Sequence, residues 1–431
     1  MRVLFITHRL PCPPDRGCKV RSAAILHWLA ERHDVWCAGL LDNAATTELQ
    51  EETRRSLQSL RHLCRGVLPV PFAKTWAGYK ALAGLARGGT ATEGFFHSRA
   101  LERGVTDWSN KIGFDAVFAF SSGIAPLALA VRANRRVLCM DDLDSCKWDE
   151  LAAGARWPMR TVYGTEAARL ARQELEWIEA FDATLMVSQR EADLVTDPRL
   201  RDKVHVVPPV LPGMVAGKPR TSARHELPTR PVVGFVGAMD YEPNIDAVRW
   251  FAQEIWPRVR RHRPDAQFWI VGRSPTKAVC DLARPGEIIV TGTVADVDEY
   301  VQSIRVHVAP LRVSRGVQIK VLSAMAAERP CVVTSGVAEG LGARPGRDLI
   351  AADSPGVFAQ GVINLLENTE QAEALGQAGR LFLKRIDPNR VMRRVEGLLS
   401  GDEAPERDES VLTNVETTRA ESPRECVSAV Y

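Results

Sequence analysis

The sequence predicts an α/β protein of two doubly wound domains facing across a cleft, followed by a disordered C-terminal tail. Three observations carry this expectation. Short apolar runs alternate with helix-length segments, the signature of βαβ units. The alternation stops once, in a Pro-rich stretch, and then restarts. The 431 residues also exceed what one ordinary core organises, so two domains of about 200 residues are expected.

The first half opens with the apolar run Val3–Ile6 and a turn-rich loop, Thr7–Gly17. A helix is expected over Lys19–Arg32, then a strand over Val35–Leu40. Further buried strands are expected at Ala116–Phe120, Arg136–Met140 and Ala183–Val187. The clearest intervening helix is Met159–Ala180, with Glu166, Arg169, Arg172, Glu174 and Glu176 as its charged face. The stretch from Val207 to Arg230 contains Pro208, Pro209, Pro212, Pro219 and Pro228, and reads as a linker. The second half restarts with a strand at Pro231–Val236 and a helix over Asn244–Arg261. Strands follow at Phe268–Val271, Glu287–Val290, Arg305–Ala309 and Cys331–Thr334. Helices are expected from about Gly316 to Ala327, over Pro355–Glu367 and over Glu370–Lys384. The expected boundaries are therefore 1–207, a linker at 208–230, 231–400, and a tail at 401–431.

The tail holds eight acidic residues against three Arg, a net of −5, and its only large aliphatic residues are Leu412 and four Val. Too little apolar area is present to offset chain entropy, so disorder is expected. The whole chain has 56 basic and 53 acidic residues, a net of +3, so the remaining 400 residues carry +8. Such a body suits an anionic ligand or an anionic lipid surface, or is simply a solvated surface with no partner, whereas a dedicated nucleic-acid binder would be more basic.

Nine scattered Cys, an odd number, argue against a secreted disulfide framework. The longest uncharged stretch, Ala116–Val131, contains Ser121, Ser122, Gly123 and Pro126 and falls short of the roughly 20 apolar residues of a spanning helix. The apolar start reaches His8 and Arg9 too soon for a signal peptide. A cytoplasmic protein is expected, with the inner face of the plasma membrane as a candidate surface. Arg54, Arg55, Arg61 and Arg65 flank Leu57, Leu60 and Leu63 on a basic amphipathic segment. A solvated basic face is the plainer reading of the same residues.

Neither opening strand is followed by G-x-G-x-x-G, which argues against a nicotinamide enzyme. Gly17 sits where a loop meets a helix N-terminus, where backbone N–H groups could meet a phosphate or a sugar hydroxyl, or where it is simply a turn glycine. Cys12 and Cys18 have no zinc-pair spacing, so no metal is expected. Asp141, Asp142, Asp144, Ser145 and Lys147 crowd the carboxyl end of a strand, the position where α/β domains place functional groups. They are either sugar-binding or basic groups, or an acidic helix cap. In RVSRGVQIKVLSAMAAERP, Gly316, Lys320, Ser323 and Ala327 fall on one small, polar helical stripe opened by Arg315. A helix start with glycine and an Arg/Lys pair suits a pyrophosphate, and an ordinary amphipathic helix fits the spacing equally well.

Together these segments resemble a GT-B glycosyltransferase of glycosyltransferase family 4, closest to the sugar transferases of exosortase and PEP-CTERM exopolysaccharide clusters. The matching stretches span most of residues 1–385. They are P-x-x-R-G-x-K-x-R-S (Pro13–Ser22), D-x-D-S-x-K-W (Asp142–Trp148), the Val187-Ser188 strand end and G-A-M-D-Y-x-P-N-x-D-A-V-x-W-F (Gly237–Phe251). Val271-Gly272-Arg273, T-G-x-V (Thr291–Val294) and A-P-L-R (Ala309–Arg312) follow. R-G-V-Q-x-K-V-L-x-A-M-A (Arg315–Ala326) and A-E-G-L (Ala338–Leu341) complete the set.

The resemblance implies two Rossmann-like domains, the first taking a saccharide or lipid-linked acceptor and the second a nucleotide-sugar. It implies transfer with retention, without metal, the nucleotide-sugar being a co-substrate rather than a cofactor. Lys320 and Arg315 would offset pyrophosphate charge, with Gly237, Asn244, Gly272, Gly316 and Ser323 on the donor side. Gly17, Arg21, Asp144 and Lys147 would line the acceptor side, and Asp142 and Asp144 would lie near the reacting groups. The chain departs from the family at the E-x(7)-E pattern, whose two acids fall at Arg315 and Ser323. Ile319 stands where Asn is usual, and Val207-Pro208-Pro209-Val210 replaces V-P-N-G-V. These departures leave a catalytically silent paralogue, a binding component of a polysaccharide assembly system, as the alternative.

Overall fold

A computed structural model describes residues 1–14, 17–42, 47–210, 230–294 and 296–402. Most of the expected linker and nearly all of the expected tail lie outside the described residues. The described chain divides into two compact units.

The first unit is a seven-stranded parallel sheet with helices on both faces. Its elements in order are β1 (Arg2–Thr7), α1 (Gly17–Ala30), β2 (Asp34–Asp42), α2 (Thr47–Leu63), β3 (Gly66–Phe72), α3 (Lys74–Ala86), α4 (Ala91–Phe96) and α5 (Arg99–Ile112). There follow β4 (Ala116–Phe120), α6 (Ala125–Leu129), β5 (Arg135–Asp141), α7 (Asp144–Gly154), α8 (Met159–Ala180), β6 (Ala183–Met186), α9 (Gln189–Ala192) and β7 (Val204–Val206). The strand order is β3-β2-β1-β4-β5-β6-β7, so the winding reverses between β1 and β4. Alternate side chains feed two cores, as expected for strands covered on both faces. Leu4, Ile6, Val117 and Leu138 enter one, while Val3, Phe5, Phe118 and Val137 enter the other, where Phe5 and Phe118 stack at 5.2 Å.

The second unit carries β8 (Val232–Val236), α10 (Glu242–Trp250), a π turn (Phe251–Ile255), α11 (Trp256–His262), β9 (Gln267–Val271), α12 (Lys277–Cys280) and β10 (Ile288–Gly292). Next come α13 (Val297–Ser303), β11 (Val306–Ala309), α14 (Ile319–Ala326), β12 (Cys331–Val333), α15 (Ser335–Leu341), β13 (Ile350–Ala351), α16 (Pro355–Glu367) and α17 (Thr369–Leu383). The order β10-β9-β8-β11-β12-β13 repeats the reversal, here between β8 and β11.

A last helix, α18 (Pro388–Ser400), belongs to the first unit, which corrects the expected boundary at residue 400. Met392, Val395, Leu398 and Leu399 join the core that holds Val3 and Phe5. Glu396 accepts from Trp28 Nε1 at 3.0 Å, Arg135 Nε donates to the Leu398 carbonyl at 2.9 Å, and Arg394 donates to the Val206 carbonyl at 3.1 Å.

The basic segment around Leu60 is also corrected. It forms the end of α2, and Leu57, Leu60 and Leu63 pack against the sheet rather than facing outward. Its apolar side is thus spent on the core and cannot enter a bilayer. Among the described residues no helix is long and apolar enough to cross a membrane.

Candidate functional site

In the second unit the loops at the carboxyl ends of β8 and β9 meet backbone to backbone. Gly237 N–H donates to the Val271 carbonyl and Met239 N–H to the Arg273 carbonyl, both at 2.9 Å. Gly272 has φ +150°, and a Cβ there would fall 1.8 Å from the Gly237 oxygen, so only glycine fits. The loop after β11 turns at Gly316, with φ +61°. A Cβ on Gly340 of α15 would come within 2.6 Å of the Gly316 oxygen, so this loop also rests on a glycine. The expected helix from Gly316 therefore begins at Ile319, with Gly316 in the loop before it. A left-handed residue breaks the helical run, so the expected four-residue stripe reduces to Lys320 and Ser323.

Lys320 lies in the first turn of α14. Its Nζ donates to Asn244 Oδ1 at 2.6 Å and sits 4.3 Å from the centre of the Phe235 ring. Asn244, buried on α10, is oriented in turn by its Nδ2, which donates to the Ala238 carbonyl at 2.9 Å. Both partners of the ammonium are neutral. Burial alone pulls its pKa down to about 7. The amine thus lies half-buried on the same unit as the glycine-shaped loops, with no acidic partner among the described residues. Ser323, three residues on, is half-buried on the same helix. Arg315 is half-buried in the loop, whose carbonyl accepts from Gln318 Nε2 at 3.2 Å.

The first unit gathers a second set beside its own reversal point, beyond the ends of β4 and β5. Asp142 and Asp144 share Lys147, with Nζ 2.6 Å from Asp142 and 3.0 Å from Asp144. Ser122 Oγ donates to Asp144 at 2.6 Å. Burial pushes the Asp142 carboxyl up to about 6 against the pull of Lys147. Burial also acts to raise Asp144, but Lys147 and Ser122 outweigh it and hold that carboxyl below its ordinary value. The neighbouring Glu174, buried on α8, accepts from the backbone and hydroxyl of Ser145. Burial, then the Asp144 charge, pushes it up to about 8. The set therefore mixes an ionised carboxylate with a protonated one.

Two residues with positive φ frame this set. Ser121 has φ 96° beyond β4 and Asp141 φ 68° at the end of β5, conformations that cost non-glycine residues about 1–3 kcal/mol. Asp141 is held by Arg21 Nε at 3.0 Å, and Arg21 also donates to the Val207 carbonyl at 2.7 Å.

Arg21, expected on the acceptor side, is 3% exposed and spends its guanidinium on Asp141 and the backbone. It is a positioning residue. Gly17 is the exposed first residue of α1, as its place in the sequence suggested. Asp142, Asp144 and Lys147 are brought together, and so are Gly237, Asn244, Gly272 and Lys320. His8 was not singled out from the sequence. It lies just beyond β1, edge-on to Phe96 at 5.1 Å, with Nδ1 3.3 Å from the Phe120 carbonyl. Burial, then Arg9, pulls it down to about 4, so the ring is neutral at pH 7. The sequence signal was available: a polar residue ending the first strand of a doubly wound sheet. Among the described residues no group of three or more His, Cys, Asp or Glu is placed to hold a metal ion.

The comparisons with known proteins meet this geometry in the second unit. Residues 230–368 match the family model described as "Glycosyl transferases group 1". An uncharacterized 44.6 kDa protein in the cps region of Klebsiella pneumoniae is 27% identical over 143 residues, 31% of this chain and 37% of that protein. The match thus spans just over a third of that relative's length. Two solved structures share the fold along almost the whole chain. WaaG, a glycosyltransferase involved in lipopolysaccharide biosynthesis, aligns with TM-score 0.63 and 13% identity over 93% of this chain and 100% of that one. Anabaena Alr3699/HepE, solved with UDP and glucose, aligns with TM-score 0.59 and 11% identity over 92% of this chain and 99% of that one.

Proposed function

We propose that this chain, which has the GT-B fold of its structural neighbours and matches the group 1 glycosyl transferases over residues 230–368, is a retaining glycosyltransferase of exopolysaccharide biosynthesis. It moves a sugar from a nucleotide-sugar, with no further cofactor, to a saccharide or lipid-linked saccharide. The observation that carries this reading is Lys320, an amine with two neutral partners beside three loops shaped by glycines. A departing diphosphate develops charge as the glycosidic bond breaks. A preorganised cation and backbone N–H groups stabilise that charge more than the ground state. Arg315 would add a second cation from the same loop. In the first unit, Asp142, Asp144, Lys147 and Ser122 would bind hydroxyls of the acceptor or of the transferred sugar. The cps-region relative and the lipopolysaccharide enzyme support a surface-polysaccharide role.

The test is thermal stability with nucleoside diphosphates and nucleotide-sugars, with and without metal. A ligand that binds only the folded state raises the melting temperature. A shift with one nucleotide series, lost in Lys320→Ala, supports the donor site. Arg315 and Ser323 in place of the two acids favour a second reading, a silent paralogue that binds saccharide or partner in an assembly system. A cooperatively melting protein that shifts with no nucleotide would move the conclusion there.

A further inference from the structure

Helix α3 is built the wrong way round for a helix that merely completes a core. Its inner side carries small residues. Ala77 is buried, and Gly84 lies so close to the next segment that a Cβ would come 2.8 Å from the Thr90 carbonyl oxygen. Gly94 of α4 approaches equally closely, with its Cβ position 2.5 Å from the Lys80 carbonyl oxygen. Two helices thus meet through glycines, and the large side chains of α3 point away from the protein. Trp76, Tyr79 and Leu82 are 68%, 69% and 64% exposed, and their spacing of three places them along one side of the helix. The Trp76 and Tyr79 rings lie 6.0 Å apart.

Along this stretch of the sequence the charge has one sign. Lys74, Lys80 and Arg87 accompany it, and no acidic residue occurs from Ala73 to Thr92. A second exposed segment has the same chemistry. Trp157 and Met159 are 83% and 43% exposed between Arg156 and Arg160, at the start of α8. Farther along α8, Arg169 donates to the Leu85 and Gly89 carbonyls, tying it to the end of α3. Exposed Trp and Tyr with a rim of Lys and Arg match the headgroup level of an anionic bilayer. There an amphipathic ring is half-wetted and a cation meets lipid phosphate.

We propose that the outward face of α3, centred on Trp76, Tyr79 and Leu82, docks this protein onto an anionic membrane surface. The face differs from the α2 segment that the sequence suggested, because α3 leaves its large residues unburied. The proposal stands apart from the donor-site reading, since lipid binding needs no nucleotide.

Co-sedimentation of the full chain with phosphatidylcholine vesicles, with and without phosphatidylglycerol, tests it. Binding is expected with the anionic lipid at low salt, falling as salt rises. The triple variant Trp76→Ser, Tyr79→Ser, Leu82→Ser should bind at least tenfold more weakly. Its melting temperature should be unchanged, since the three side chains are exposed. Lys74→Gln with Arg87→Gln should weaken binding to anionic vesicles and flatten the salt dependence. No binding of the parent protein at any composition would overturn the proposal, as would equal binding by the triple variant. A parent that stays off vesicles and forms a dimer lost in the triple variant would assign the face to a second copy. Binding that appears only after residues 403–431 are removed would make the acidic tail its occupant in the intact chain.

Discussion

The two reversal points of this molecule are built from the same topology and charged in opposite ways. In the first unit nearly every charge has an answering charge: Asp141 with Arg21, and Asp142 and Asp144 with Lys147. In the second, Lys320 is answered by an amide and an aromatic ring. A compensated set keeps its shape without ligand and suits neutral hydroxyls. An uncompensated, partly desolvated amine costs stability until an anion arrives, which is why the proposed function places the anion there.

The comparison breaks most visibly where compensation is removed. Arg21→Met leaves Asp141 in a left-handed conformation without its partner and should cost about 3 kcal/mol in denaturant unfolding. A loss below about 1 kcal/mol would show that the pair does not hold the strand end. Lys320→Ala should do the opposite to stability, leaving it unchanged or slightly higher. It should lower kcat/KM for sugar transfer by about a hundredfold, the scale of losing one group that stabilises developing charge. Parallel losses of folding and turnover would merge the two sites into one kind.

Two pH measurements sharpen the contrast. Lys320, near 7 without ligand, rises when an anion binds, so binding takes up a proton above pH 7. Affinity for a nucleoside diphosphate should fall by up to about tenfold per unit above pH 7 until the bound-state value is reached, as calorimetry can follow. Glu174 works in the other sense. Its folded value of about 8 exceeds its ordinary 4.5, so its stabilising contribution is complete below about 4.5 and is lost as pH rises through 8. Glu174→Gln should remove that slope from the melting curve. The smallest effect belongs to Ser323→Glu, which restores an acceptor for two hydroxyls and should tighten nucleotide binding several-fold. No gain would mean that the α14 face meets another part of the donor.

Much of this architecture was legible because buried parallel strands are continuous apolar runs. Ala116–Phe120 and Met159–Ala180 match the expected limits, and both sheets follow the expected alternation. β3 was invisible because Pro69 and Pro71 argue against a strand. It is tolerated as an edge strand, with β2 as its only neighbour among the described residues. The helix at 388–400 was not expected, and no local pattern tells which sheet receives Met392, Val395 and Leu399, hence the displaced boundary. Gly237, Asn244, Gly272 and Lys320 were singled out by motif, and the fold brings them together. Arg21 was misplaced because sequence shows that a charge exists, not whether a buried partner consumes it. His8 was passed over because a lone histidine at a strand end carries no spacing pattern.

The return of α18 to the first unit has a consequence in time. A ribosome finishes every residue of the second unit before it releases the helix that closes the first. The unit encoded second is continuous and can complete its core first. The unit encoded first has α1 and α2 on the Val3 and Phe5 side of its sheet, but the part of that side that takes Met392, Val395, Leu398 and Leu399 waits until residue 400 has emerged. A nascent chain stalled near residue 387 is therefore a different object from a merely shortened enzyme: one finished globule, and one with an open apolar face for a chaperone to hold.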